Sequence, residues 1–155
     1  MQLLISDSNI LIDMEVSGLL RKMFELPYTF AVPDILFNEE LGDFDDDLME
    51  FGLKVIPLTS DTMNYRHKIS YPGASSNDLF ALALASKENC PLVTGDKILT
   101  EACKKEQVDI YGTLWIIDKL ISFNIISKYE AKKSFEIMAE HERRLPCTVV
   151  WKNYK

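Results

Sequence analysis

At 155 residues, 47% of them hydrophobic, the chain has the length of one domain and enough apolar side chain for a sizeable core. No run approaches the roughly 20 uninterrupted apolar residues of a membrane span, and Met1 leads into Leu3-Leu4-Ile5 without a basic region and cleavage site; a single cytoplasmic domain over 1–155 is expected. A net charge of −7 argues against binding of nucleic acid by bulk electrostatics, and three widely spaced cysteines, Cys90, Cys103 and Cys147, suggest neither a disulfide framework nor a zinc site.

Taken in chain order, Leu3-Leu4-Ile5 reads as a buried strand that stops at the polar turn Ser6-Asp7-Ser8-Asn9. Ile10, Leu11 and Met14 fit one face of a helix, and Leu19, Leu20, Met23 and Phe24 resume helical spacing after Ser17-Gly18, which bends or splits the element. Tyr28 to Val32 has strand composition, Pro33-Asp34 ends it and opens a helix, and Glu39 and Glu40 fall in that helix. The acidic run Asp43 to Asp47 reads as a solvated loop or helix start, because the Gly and terminal Glu of an EF-hand are missing.

Leu53 to Leu58 is a third strand, and Thr59-Ser60-Asp61 caps a helix to about Ile69. Pro72-Gly73 breaks the chain before a helix capped by Ser75 or Ser76, with Asp78 in its first turn and Leu79 to Ala85 apolar all round. Pro91 to Thr94 is a strand ended by Gly95-Asp96, and a helix from Lys97 to Lys105 turns Ile98, Leu99 and Ala102 inward. Val108 to Tyr111 is a further strand, Leu114 to Phe123 and Lys128 to Arg143 are helices, and Thr148 to Trp151 suits a last strand. Short apolar strands alternating with helices predict an α/β domain whose central, mostly parallel sheet is flanked by helices.

In such a sheet Asp7 and Asp96 both fall at carboxyl ends of strands, where open α/β sheets bind ligands. Asp78 at one helix start and Glu39 in another can join them. Carboxylates gathered without His or Cys suit Mg²⁺ or Mn²⁺, hard cations that take oxygen ligands, and suit zinc badly. Such a centre can promote attack of water on a phosphodiester without a protein nucleophile. Taken singly, each acid has an ordinary explanation as a cap, a turn former or part of a solvated helix face; the case is collective.

The segments also resemble the motifs of PIN-domain nucleases. Leu4 to Leu11 is similar to the opening motif, Val32-Pro33 with Glu39-Glu40-Leu41 to the second, Ser76-Asn77-Asp78-Leu79 to the third, and Leu92 to Asp96 to the fourth. Gly112-Thr113-Leu114, a helix, Asn124-Ile125-Ile126 and a final helix resemble one subgroup often found near toxin-antitoxin systems. The resemblance implies a PIN-like three-layer fold and a metal-dependent endoribonuclease that hydrolyses single-stranded RNA with a metal-activated water. In many members this activity is a toxin held by an antitoxin protein, and homodimers are frequent. It further implies Asp7, Glu39, Asp78 and Asp96 as ligands of Mg²⁺ or Mn²⁺, with Ser8, Asn9 and Thr94 supporting them. Glu40 is the alternative second-motif acid, because it directly precedes Leu41.

Two other classes compete. A PIN-fold binding or regulatory module with weak catalysis is consistent with the low pI. A phosphotransfer domain fits less well, because Asn9 stands where a phosphatase has its second Asp. His67 and His141 read as surface residues. Arg66, His67, Lys68 and Lys97 are candidates for phosphate contacts but read first as solvated helix faces, and Tyr65, Tyr71 and Trp115 read as packing residues before stacking platforms.

Overall fold

A computed structural model describes residues 1–42 and 47–141. Most of the acidic run, Cys147, the end of the last expected helix and the strand expected at Thr148 to Trp151 lie outside the described residues.

Five strands, β1 (Gln2–Ser6), β2 (Tyr28–Pro33), β3 (Lys54–Ile56), β4 (Leu92–Val93) and β5 (Ile110–Tyr111), form one parallel sheet in the order β3-β2-β1-β4-β5. The register pairs Leu4 with Phe30, Ser6 with Val93, Val32 with Val55 and Val93 with Tyr111. All strands therefore run the same way, and Asp7, which follows β1, lies level with the residues that follow β4. Leu4, Ile5, Phe30, Ala31, Val32, Leu92 and Val93 are fully buried, as expected of a parallel sheet covered by helices.

The helices among the described residues are α1 (Ser8–Val16), α2 (Leu20–Met23), α3 (Asp34–Glu40), α4 (Asp47–Phe51), α5 (Ser60–Lys68), α6 (Ser76–Glu88), α7 (Lys97–Lys105), α8 (Thr113–Ser122) and α9 (Lys128–Glu140). Gly18, at φ +78°, supplies the left-handed step that divides α1 from α2. Helix α6 packs against β1, β2, β4 and α5, and Leu79 to Ala85 are all buried, which explains the absence of a polar face there. On α8, Trp115 stacks on Tyr111 at a centroid distance of 4.1 Å and tilts against Tyr28 at 5.2 Å, so it is a packing residue.

Ile98 departs from expectation. It is 42% exposed, and a Cβ built on Gly73 would meet its Cδ1 at 2.8 Å, so the α5–α6 turn lies against its outward face. Leu99 and Ala102 do point inward, and His67 and His141 are exposed. No described helix is long and apolar enough to cross a membrane.

Candidate active site

Asp7 continues β1 through a hydrogen bond from its N–H to the Val93 carbonyl and caps α1, where its Oδ1 accepts from the Ile10 N–H at 3.0 Å. Its Oδ2 accepts a short hydrogen bond from the Thr94 hydroxyl. The residue has no solvent exposure. Capping alone does not account for this, because Asn or Ser would cap α1 equally well without the cost of burying a charge. Burial is the main reason that the Asp7 carboxyl is pushed up to about 7; the bonds from Thr94 and Ile10 oppose the shift, and the charges of Asp78 and Asp13 add to it.

Thr94 is the joint between the first and fourth motifs. While its hydroxyl donates to Asp7, the same oxygen accepts from the Asp96 N–H at 3.1 Å. Asp96 caps α7 by accepting from the Leu99 N–H at 2.9 Å. The turn after β4 thereby places the two aspartates on either side of one threonine.

The second and third motifs meet through α3 and the start of α6. Ser75 accepts from the Asp78 N–H at 3.1 Å, which fixes Asp78 in the first turn of α6. The Asn77 amide donates to Glu39 at 2.8 Å. Glu40 has different neighbours. Partial burial of its carboxyl and the charge of Asp78 push it above the usual range, while hydrogen bonds from Ser8 and Asn77 pull the other way. Glu40 is an α3 acid on which the Asp78 charge acts, with Ser8, the residue after Asp7, near its carboxyl. Glu39 and Glu40 are both exposed, Glu39 is tied to Asn77, and Asn9 is exposed on α1.

Sequence reasoning passed over Asp13. It is 6% exposed, accepts from the Thr113 hydroxyl at 3.2 Å, and lies close enough for its charge to act on Asp7. Thr113 opens α8, whose N-cap Gly112 offers no side-chain acceptor. The signal available was a carboxylate placed between Ile12 and Met14 in the apolar middle of α1. Cys103 also lies near Asp7, with a thiol pushed up to about 12 by burial and then by the Asp7 charge, so it remains a protonated core group.

The donors here are oxygens, and one of them is a buried carboxylate without an ion-pair partner among the described residues, which fits a hard divalent cation. Among the described residues, no three His, Cys, Asp or Glu side chains stand close enough to form a ready ligand set. The charge of Asp78 acts unfavourably on the ionised forms of both Asp7 and Glu40.

Fold and site together define an α/β domain with an acidic centre at the carboxyl edge of its parallel sheet. The family model described as DUF3368: PIN domain matches residues 3–153, and the chain belongs to this PIN-domain family. PIN domains are in general nucleases and use divalent metal ions. The PilT N-terminus domain protein SSO1118 from the hyperthermophilic archaeon Sulfolobus solfataricus P2 is similar in fold, with a TM-score of 0.53, 18% identity, and coverage of 79% of this chain and 92% of that one. VapBC2 from Rickettsia felis, solved bound to a DNA fragment from their promoter, gives a TM-score of 0.49 at 17% identity over 72% of this chain and 98% of that one. No curated protein matches the sequence.

Proposed function

We propose that this PIN domain is a metal-dependent endoribonuclease that hydrolyses single-stranded RNA, with Asp7, Glu40, Asp78 and Asp96 as its acidic residues. The observation that carries the reading is the full burial of Asp7 at the end of β1, beside Thr94 and within reach of the Asp78 charge. Glu40 is preferred here to Glu39, the acid that the sequence favours, because the charge of Asp78 acts on its carboxyl and Ser8 lies near it. Mg²⁺ and Mn²⁺ are the cations that suit these donors.

A divalent cation at these carboxylates supplies a Lewis acid for water and for a phosphate oxygen. The chain's own residues prepare the place. Thr94 and the Ile10 N–H hold the two oxygens of Asp7 in fixed directions, and each oxygen keeps lone-pair capacity for a cation. Thr94 also sets the start of the Asp96 turn, so the two aspartates move together. Ser75 fixes the backbone of Asp78. The bond from phosphorus to water oxygen forms as one phosphodiester P–O bond breaks, and no protein nucleophile is required.

The toxin-antitoxin resemblance of the sequence extends this reading to a toxin whose site an antitoxin protein covers, with a homodimer as the assembly. The direct test is cleavage of unstructured RNA by purified protein with Mn²⁺ or Mg²⁺. Asp7→Asn and Asp96→Asn keep their capping oxygens and so stay folded, and each is expected to lower the rate by about 10³-fold. Full activity in both variants would falsify the assignment.

The net charge of −7 favours a second reading, a binding module with little catalysis. Calorimetry that finds no affinity for Mn²⁺ or Mg²⁺, together with no cleavage across several RNA pools, would select it.

A further inference from the structure

We infer that Arg66 is a phosphate-binding residue that holds the nucleic-acid strand beside the scissile bond; the inference rests on the nuclease reading above. Arg66 lies in the last turn of α5, and its guanidinium is fixed at two points on the neighbouring helix. Nη2 donates to the Ser76 hydroxyl at 3.2 Å, and Cζ lies 5.3 Å from the centroid of the Phe80 ring. Ser76 and Phe80 are one turn apart on α6, so the guanidinium lies along a single face of that helix at its first turn.

The net charge is −7, yet no described carboxylate forms an ion pair with Arg66. Its Nε is buried and has no acceptor among the described residues. The terminal nitrogens, whose bond to Ser76 is exposed, are the donors that an anion at this edge of α6 can meet. The other arginine among the described residues, Arg21, lies over Phe51.

The site lies close by. Ser76, Asn77 and Asp78 are consecutive: Ser76 holds Arg66, Asn77 donates to Glu39, and Asp78 acts on Glu40 and Asp7. Positions 76 and 78 differ by about 200° around a helix about 10–12 Å across. Arg66 and Asp78 therefore flank the tip of α6 on opposite sides, too far apart to share one phosphate. A strand crossing the tip would place its scissile phosphate at the carboxylates and a neighbouring phosphate at Arg66. The α6 N-terminus itself favours negative charge along that path.

A purely structural role, the joining of α5 to α6, would alter stability but not the dependence of binding on salt. The test is therefore fluorescence anisotropy with a labelled single-stranded RNA, with Ca²⁺ in place of Mn²⁺ to limit turnover, across a salt series. Arg66→Met, which keeps the aliphatic stem on Phe80, is expected to weaken binding about tenfold and to reduce the slope of log K against log salt by about 0.7, the share of one phosphate contact. Arg66→Lys should retain the slope, and Lys104→Met, at the far end of α7, should bind as the wild type does. A DNA strand of the same sequence should show the same loss, because the contact is to the backbone.

If Arg66→Met does not fold, Arg66→Gln, which can still bond to Ser76, provides the same comparison. Unchanged affinity and slope in a folded variant would overturn the inference, as would a wild type that binds no single strand. Cleavage with Mn²⁺, measured in parallel, separates the two claims. An Arg66-dependent slope without cleavage keeps the phosphate contact and removes the nuclease reading; cleavage with an unchanged KM in Arg66→Met does the reverse.

Discussion

The two edges of the sheet bear polar residues and carboxylates in very different circumstances. At the amino edge a cavity of about 350 Å³ is lined by residues that include Gln2, Asn89, Cys90, Glu106, Gln107 and Asp109. Its carboxylate Glu106 already has donors, the hydroxyls of Tyr65 at 3.1 Å and Tyr71 at 3.4 Å. Burial pushes the Cys90 thiol up to about 11, away from reactivity. At the carboxyl edge Asp7 is sealed in the interior and Asp78 adds like charge beside it. Both Glu106 and Asp7 have two hydrogen-bond donors, but burial and like charge act against the ionised form of Asp7.

The largest effect that can break this contrast is the pH dependence of Asp7. Its folded-state pKa of about 7 lies above the ordinary value of 3.8, so between those values the folded state binds more protons than the unfolded state. The stability of metal-free protein from this group is therefore fully present at low pH and declines as pH rises through about 7, by at most about 4 kcal/mol. Denaturant melts of wild type and Asp7→Asn should diverge across that range, with the variant the more stable at pH 8. Added Mn²⁺ should narrow the gap by binding the ionised form. Parallel melts at all pH values would contradict the burial of a titrating carboxylate.

An intermediate effect sharpens the acidic edge itself. Glu40→Gln should lower metal-dependent cleavage by about 10- to 100-fold, the range for an impaired metal site, whereas Glu39→Gln should stay within about threefold. Equal losses would show that the substrate draws both acids inward. The smallest effect belongs to the amino edge: Glu106→Gln should leave cleavage unchanged and cost about 1 kcal/mol, the worth of the tyrosine hydrogen bonds, in a thermal melt.

Much of this arrangement was legible in the sequence because it is local. A strand that ends in Asp7 and a helix that starts at Ser8 require a cap at that position, and Thr94-Gly95-Asp96 repeats the device at β4. The parallel sheet followed from alternating elements, and the membership of Asp78 in the first turn of α6 from Ser75. What was not legible depends on how helices are rotated against one another. One residue is about 100° of helix, so the choice between Glu39 and Glu40 is set by how α3 meets α6 and Ser8, which no spacing from Pro33 records. Asp13 finds Thr113 across 100 positions of sequence. Arg66 reads as one member of a basic helix end until Ser76 and Phe80 are seen to fix it, and Ile98 looks like a core residue until the Gly73 turn is placed beside it.

The central claim is that Asp7 is a metal ligand as well as a helix cap. A crystal soaked in Mn²⁺ near pH 8, with data collected at the manganese edge, tests it most directly. The account predicts anomalous density bonded to Asp7, with Asp78, Asp96 or Glu40 drawn onto the same ion. A fully soaked crystal in which Asp7 keeps only Thr94 and Ile10 as partners, with manganese elsewhere or absent, would contradict it.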